Sequence, residues 1–200
     1  MRFRSIGLAA LISLFASTAN AATITFSTLL NGTTEIPANA SPGIGSATII
    51  VDTALATMRV IAEFSGLLGI TTASHIHCCT AVPGGANVGV ATVLPNFTGF
   101  PLNVSSGTYD HVFDMSLASS WNPAFVTAQG GISNAFAALL AGMATGNAYY
   151  NIHTDTFPGG EIRGLLRPVP EPGTLLLLAS GVAGARLRSW RKRREQRRAA

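Results

Sequence analysis

Positive charge is scarce over most of this 200-residue chain. Lysine occurs only at Lys192, and between residues 23 and 170 three arginines stand against seven acidic residues, a net charge of −4. Nucleic-acid binding requires clustered lysine and arginine to neutralise phosphates. The middle of the chain has no such cluster, so we expect no nucleic acid among its partners, although the whole chain carries a formal charge of +4.

Known catalytic motifs are missing as well. The sequence contains no Gly-x-Ser-x-Gly, His-Glu-x-x-His or Walker A pattern. Pro158-Gly159-Gly160 lies between two predicted strands, which indicates a turn and not a phosphate-binding loop. We therefore predict that the protein is not an enzyme.

The N-terminus has the pattern of a secretory signal. Arg2 and Arg4 precede a short apolar run over residues 6–16, and Ala19-Asn20-Ala21 supplies the small-x-small motif that signal peptidase recognises. The apolar run is too short to span a membrane comfortably. We predict a signal peptide over residues 1–21, removal by signal peptidase and export of the remaining chain.

The C-terminus combines three features in a fixed order. Pro170-Glu171-Pro172 is followed by an apolar run over residues 175–185 and by eight basic residues between 186 and 198. Composition alone predicts a single membrane anchor, although the run is short for a span of about 20 residues, followed by a cytoplasmic basic tail. The order of the three parts closely resembles the PEP-CTERM sorting signal of Gram-negative bacteria that make exopolysaccharide.

That resemblance implies a partner and a destination. An exosortase, a membrane transpeptidase-like protease, would act on residues 168–200 near the Pro170-Glu171-Pro172 motif. The protein would be tethered to the cytoplasmic membrane transiently through its C-terminal helix. After sorting it would reside at the cell surface or outside the cell.

The segment between the two ends, residues 22–167, is predicted to form a β-rich domain. Alternating polar and apolar residues or β-rich composition predict strands over 23–29, 45–52, 58–64, 108–115, 149–153 and 161–166, with a short one over 75–78. Apolar residues at helical spacing predict a helix that begins at Ser133 and ends near Gly146. These elements predict a mainly β fold: an antiparallel Greek-key β-sandwich or barrel with one or two short helices.

Several motifs in this segment resemble the CHRD domain, which was first described in chordin and also occurs in bacterial secreted proteins. The motifs are Leu30-Asn31-Gly32, Glu35-Ile36-Pro37, Phe64-Ser65-Gly66-Leu67, His75-Ile76-His77, Asn151-Ile152-His153-Thr154 and Gly159-Gly160-Glu161-Ile162-Arg163-Gly164. The resemblance covers about residues 23–166. It implies a sandwich-type secreted module for which no catalytic role is established.

Three histidines are candidate metal ligands. His75 and His77 lie two apart on a predicted strand, so both imidazoles point to the same side, and His153 lies on a late strand. Together they would provide three nitrogens for Zn or Cu. Alternatively, the same histidines form a buried hydrogen-bonded structural network with Asn151, Glu161 and Arg163, because buried polar groups must be paired. Apart from such an ion, no cofactor is predicted.

Cys78 and Cys79 are the two cysteines of the chain. Export to an oxidising compartment favours disulfides, and we predict a bond between these adjacent residues. An intermolecular bridge and thiolate ligands beside His75 and His77 are the alternatives.

These observations lead to two functional hypotheses. The first is a non-enzymatic cell-surface or extracellular-matrix protein of an exopolysaccharide-producing Gram-negative bacterium, with exopolysaccharide as a candidate partner. The second is a secreted metal-binding or redox-active protein that uses the His-x-His-Cys-Cys and Asn-x-His motifs.

Overall fold

A computed structural model describes residues 23–170 of the chain. The predicted signal peptide, the predicted C-terminal helix, and Glu171 and Pro172 of the sorting motif lie outside the described residues.

Eight strands and two α-helices make up the described part of the chain. The strands are β1 Thr23–Asn31, β2 Ile44–Asp52, β3 Thr57–Ser65, β4 Thr71–Cys78, β5 Gly107–Asp114, β6 Ala148–Thr154, β7 Ile162–Leu165 and β8 Arg167–Pro168. The helices are α1 Pro123–Gln129 and α2 Ile132–Thr145, and two short 3₁₀ turns cover Gly32–Thr34 and Ala118–Ser120.

All eight strands belong to one antiparallel sheet with the order β4-β6-β7-β1-β2-β3-β5, and β8 pairs with β1. The sheet curls into a half-barrel. The predicted mainly β, antiparallel fold with one or two helices is thus confirmed. Of the two predicted architectures the curled single sheet is nearer to the barrel, because the strands do not divide into two stacked sheets.

Alternation along the strands separates a core face from an outer face, as expected for a period of two residues. On β2, for example, Ala47, Ile49 and Val51 are buried while the residues between them are partly exposed. Strand β6 differs because almost all of its residues are buried. Both of its faces are therefore covered, one by the hydrophobic core and the other by loops.

The helices differ from the prediction in two respects. Helix α2 ends at Gly146 as predicted, but its N-cap is Gly131 and not Ser133. Helix α1 was not predicted, although Asn122 accepts a hydrogen bond from the Ala124 amide as N-cap and Pro123 occupies the first turn. Over residues 23–170 no single helix is long and apolar enough to cross a membrane. Taken together, α1 and α2 reach that length and composition, but they are bent by 93° relative to each other.

Gly164 is required where β7 approaches β1. A β-carbon at this position would collide with the Leu29 carbonyl oxygen and the Thr28 side chain. We expect Gly164→Ala to lower the free energy of unfolding by about 1–3 kcal/mol, because backbone would have to shift. Urea unfolding measures this change. Gly159→Ala is the control, since nothing lies within 4 Å of a β-carbon there; equal losses in both variants would contradict the prediction.

Candidate metal centre

The pairing of β4 with β6 brings the three candidate histidines together. His75 lies opposite Asn151, Ala73 opposite His153 and His77 opposite Tyr149. Because side chains alternate, His75, His77, Asn151 and His153 share one face of the sheet, while Ile76 and its partner Tyr150 face the hydrophobic core. The ring centroid of His75 is 4.7 Å from those of both His77 and His153.

Each of the three imidazoles forms one hydrogen bond to a backbone carbonyl through Nδ1. The acceptors are the Pro95 oxygen for His75 at 3.2 Å, the Val88 oxygen for His77 at 2.7 Å and the Pro158 oxygen for His153 at 2.9 Å. A carbonyl oxygen only accepts hydrogen bonds, so each Nδ1 carries the hydrogen. In the neutral ring the lone pair is then on Nε2, the atom that is available to a metal ion.

All three Nε2 atoms are buried and none has a hydrogen-bond partner among the described residues. Each ring offers a ligand nitrogen, and these nitrogens lie within 4.8 Å of one another. His75 and His77 are only 6% and 9% exposed. The cluster therefore has three unpaired lone pairs in one small, water-poor space.

Burial keeps these imidazoles neutral. It lowers the pKa of His75 to about 3, with a further contribution from the neighbouring His77 and His153. Burial also lowers the pKa of His77 to about 4, although the hydrogen bond to Val88 opposes the shift. The pKa of His153 is lowered by burial and, more weakly, by the charge of Arg163. Neutral imidazole is the form that binds metal.

A charged pair flanks the histidine cluster. Arg163 on β7 lies opposite Asn151, and its Nε donates to Glu35 Oε2 at 2.5 Å. The guanidinium also lies 4.4 Å from the centre of the Tyr149 ring, which stacks on His77 with 4.6 Å between centroids. Burial raises the pKa of Glu35, and Arg163 opposes that shift.

Glu161 belongs to a different part of the structure. Its carboxylate accepts hydrogen bonds from Ser41 Oγ at 2.6 Å, the Leu68 amide at 2.6 Å, Thr154 Oγ1 at 2.7 Å and the Gly69 amide at 3.2 Å. Burial disfavours the charged form, but these bonds outweigh it and lower the pKa of Glu161. The carboxylate thus fixes the start of β7 to the loops that follow β1 and β3.

The structure separates the residues of the predicted structural network. Glu161 and Arg163 contact different partners, and the Asn151 amide forms no hydrogen bond with any described residue. Within residues 23–170 no hydrogen bond joins the three imidazoles to Asn151, Glu161 or Arg163. The histidines are brought together; the three other residues lie around them without forming one network.

Two family comparisons cover nearly all of the exported chain. The CHRD domain model matches residues 26–166, and the PEP-CTERM protein-sorting motif matches residues 168–194. The chain belongs to the CHRD domain family. No curated protein and no solved structure matches the chain.

The sorting motif determines where the CHRD domain is delivered. A PEP-CTERM motif marks a secreted protein that an exosortase processes after anchoring at its C-terminal end. Pro170 is the last described residue and lies two residues after the end of β8, so the domain leads into the motif after a single intervening residue, Val169.

The two cysteines of the CHRD domain lie away from the imidazoles. Cys78 and Cys79 are joined by a disulfide. Cys78 is part of the hydrophobic core, and both sulfurs contact the Ala138 carbonyl of α2. The structure therefore brings neither sulfur to the histidine cluster.

Glu35 and the three loop carbonyls are site features that sequence reasoning did not assign. Glu35 belongs to a motif that carries the CHRD resemblance, but its partner Arg163 is 128 residues away in sequence. Backbone carbonyls leave no signal in side-chain patterns. The Asn87 side chain, which accepts a hydrogen bond from Arg163 at 2.7 Å, lies between the predicted strands over 75–78 and 108–115, where no helix or strand was predicted.

The lowered histidine pKa values predict acid sensitivity of the metal-free CHRD domain. Between pH 6.5 and 5 the unfolded chain binds protons that buried His75 and His77 do not bind, so stability falls as the pH falls. We expect a loss of at most about 1.4 kcal/mol per pH unit for each histidine that titrates only in the unfolded chain, and about half of that near pH 6.5. Urea unfolding in chelator at several pH values measures this slope.

A substitution at His75 separates this effect from general acid sensitivity. His75→Gln should flatten the pH dependence between pH 6.5 and 5, because it removes one of the groups that titrate. An unchanged slope in this variant would show that the stability loss arises elsewhere.

Proposed function

We propose that this protein is an exported, non-enzymatic surface protein that binds one transition-metal ion, Cu²⁺ or Zn²⁺, through His75, His77 and His153. The observation that carries the proposal is the set of three buried Nε2 atoms without hydrogen-bond partners. Each of these atoms lowers the stability of the folded protein by about 1–3 kcal/mol if it stays unpaired. A bound cation would turn all three into ligands.

The spacing of the three imidazoles suits such an ion after a small adjustment. Zn–N bonds of about 2.0–2.1 Å require nitrogens roughly 3.3 Å apart in a tetrahedral site. The ligand nitrogens here lie within 4.8 Å of one another, so movements of less than about 1 Å per ring close the set. The Nδ1 bonds to backbone carbonyls are the outer contacts that orient metal-ligating histidines.

The chemistry of the ligands favours a transition metal over Ca²⁺ or Mg²⁺. Neutral imidazole suits Zn and Cu, whereas Ca²⁺ and Mg²⁺ prefer oxygen ligands. Within residues 23–170 no carboxylate or thiolate joins the three histidines. Cu²⁺ should bind more tightly than Zn²⁺, in line with the general order of divalent affinities.

The sorting motif supports a role at the cell surface. Exosortase processing delivers the domain outside the cytoplasm, where we propose that it acts within the exopolysaccharide and envelope layer as a matrix component. In that setting the metal ion would stabilise the domain, or the domain would bind metal ions that the matrix holds. The second candidate, a purely structural matrix protein, requires the histidine cluster to remain empty.

Titration calorimetry with Cu²⁺ and Zn²⁺ tests metal binding. We expect one ion per chain, and at least about a hundredfold weaker binding in His75→Ala and His153→Ala, equal to roughly 2.7 kcal/mol. His111→Ala is the matched control, because His111 lies on β5 beside Tyr109 and Phe113, away from the cluster. No metal uptake by the wild-type protein, or equal losses in all three variants, would refute the proposal.

Sorting is tested separately in the native host. We expect Pro170→Ala/Glu171→Ala/Pro172→Ala to leave the C-terminal segment attached, because the exosortase motif is lost. Intact mass and cell fractionation, compared between strains with and without exosortase, measure the outcome. If the wild-type protein has the same mass and location in both strains, the motif is not processed.

A further inference from the structure

Three more polar atoms beside the histidine cluster are buried without partners: Glu35 Oε1, Asn151 Oδ1 and Asn151 Nδ2. Glu35 is 4% exposed and Asn151 is 1% exposed. The other carboxylate oxygen of Glu35 is occupied by Arg163. Oε1 is therefore the oxygen of Glu35 that remains available to a ligand.

The three atoms converge on the same side of Gly160. A β-carbon on Gly160 would lie 2.6 Å from Asn151 Nδ2, 2.7 Å from Asn151 Oδ1 and 2.7 Å from Glu35 Oε1. Gly160 has φ +126°, a conformation that L side chains rarely adopt, and a β-carbon there would collide with all three atoms.

These unpaired atoms lie beside the imidazoles. Asn151 lies directly opposite His75 and two residues before His153 on the same face of the sheet. Directly opposed residues of an antiparallel pair have β-carbons about 4.5–5.5 Å apart. The charge of Arg163 also reaches the cluster, since it helps to lower the pKa of His77 and His153.

We infer that Glu35 and Asn151 hold a water molecule on the open coordination position of the metal bound by His75, His77 and His153. This inference rests on the proposed metal site. Three protein ligands leave a fourth position of a tetrahedral ion free. Glu35 Oε1 and Asn151 Oδ1 accept hydrogen bonds and Asn151 Nδ2 donates one.

A metal-bound water would satisfy all three unpaired atoms at once. The water would donate its two hydrogens to Glu35 Oε1 and Asn151 Oδ1. One of its lone pairs would bind the metal, and the other would accept a hydrogen bond from Asn151 Nδ2. A small anion without hydrogens cannot donate to Glu35, so the site selects a small protic ligand. Exchange with solvent has a route, because a cleft of about 390 Å³ is lined by Glu35, Asn87, Pro158 and Gly160.

The test uses the mature exported protein loaded with one equivalent of Cu²⁺. Proton ENDOR of the wild type should show strongly coupled protons of a coordinated water that disappear on exchange into D₂O. Copper EPR of the same sample should show three coordinated nitrogens. Three nitrogens without exchangeable coupled protons would overturn the water site and leave the metal site intact; failure to bind copper would overturn both.

Azide titration of the copper protein tests the role of Glu35. Glu35→Gln should bind azide about tenfold more tightly than wild type, because a negatively charged acceptor becomes a neutral group able to donate to an anion. Glu63→Gln is the control, since Glu63 is exposed on β3 and contacts Ser46. Unchanged azide affinity in a folded Glu35→Gln protein would overturn the inference. If that variant does not fold, the wild-type ENDOR result decides.

Discussion

The candidate site depends on one repeated interaction, the hydrogen bond from an imidazole Nδ1 to a backbone carbonyl. His75, His77 and His153 each form it, with acceptors in the segments that contain Val88, Pro95 and Pro158. These bonds fix the tautomer and the ring orientation, and they point the remaining lone pairs toward one another. A cluster whose only purpose was stability would pair its Nε2 atoms too, because leaving them buried and unpaired lowers stability.

Two buried carboxylates, Glu161 and Glu35, hold further segments around the polar face of β6. Glu161 binds Ser41 and the Leu68 and Gly69 amides, which fixes two loops to the β6–β7 hairpin. Glu35 is fixed by Arg163. Burying charged side chains lowers stability unless the geometry is good and further hydrogen bonds pair their remaining polar atoms. The two buried acids therefore indicate that the loops must cover the polar face of β6 in one fixed arrangement.

The strands, and which of their side chains share a face, were largely predictable from the sequence. Alternation on β4 and β6 correctly placed the histidines on one side, since the period of a strand is a local property. The pairing of β4 with β6 is not local, so only the structure shows that His153 reaches His75 and His77. The Glu35–Arg163 pair and the loop carbonyls were unpredictable for the same reason. Helix α1 was missed although Asn122-Pro123 is a local start signal.

The two faces of β4 keep metal chemistry and thiol chemistry apart. Cys78 follows His77 directly, but alternation turns its sulfur toward α2 and the hydrophobic core. Thiolates bind Cu(I) and Zn²⁺ strongly, and free cysteines beside the imidazoles would compete for the ion. With both sulfurs joined in a disulfide against α2, neither sulfur is available to an ion held by the imidazoles. One oxygen of the buried Glu35 carboxylate is paired with Arg163 and the other has no partner among the described residues.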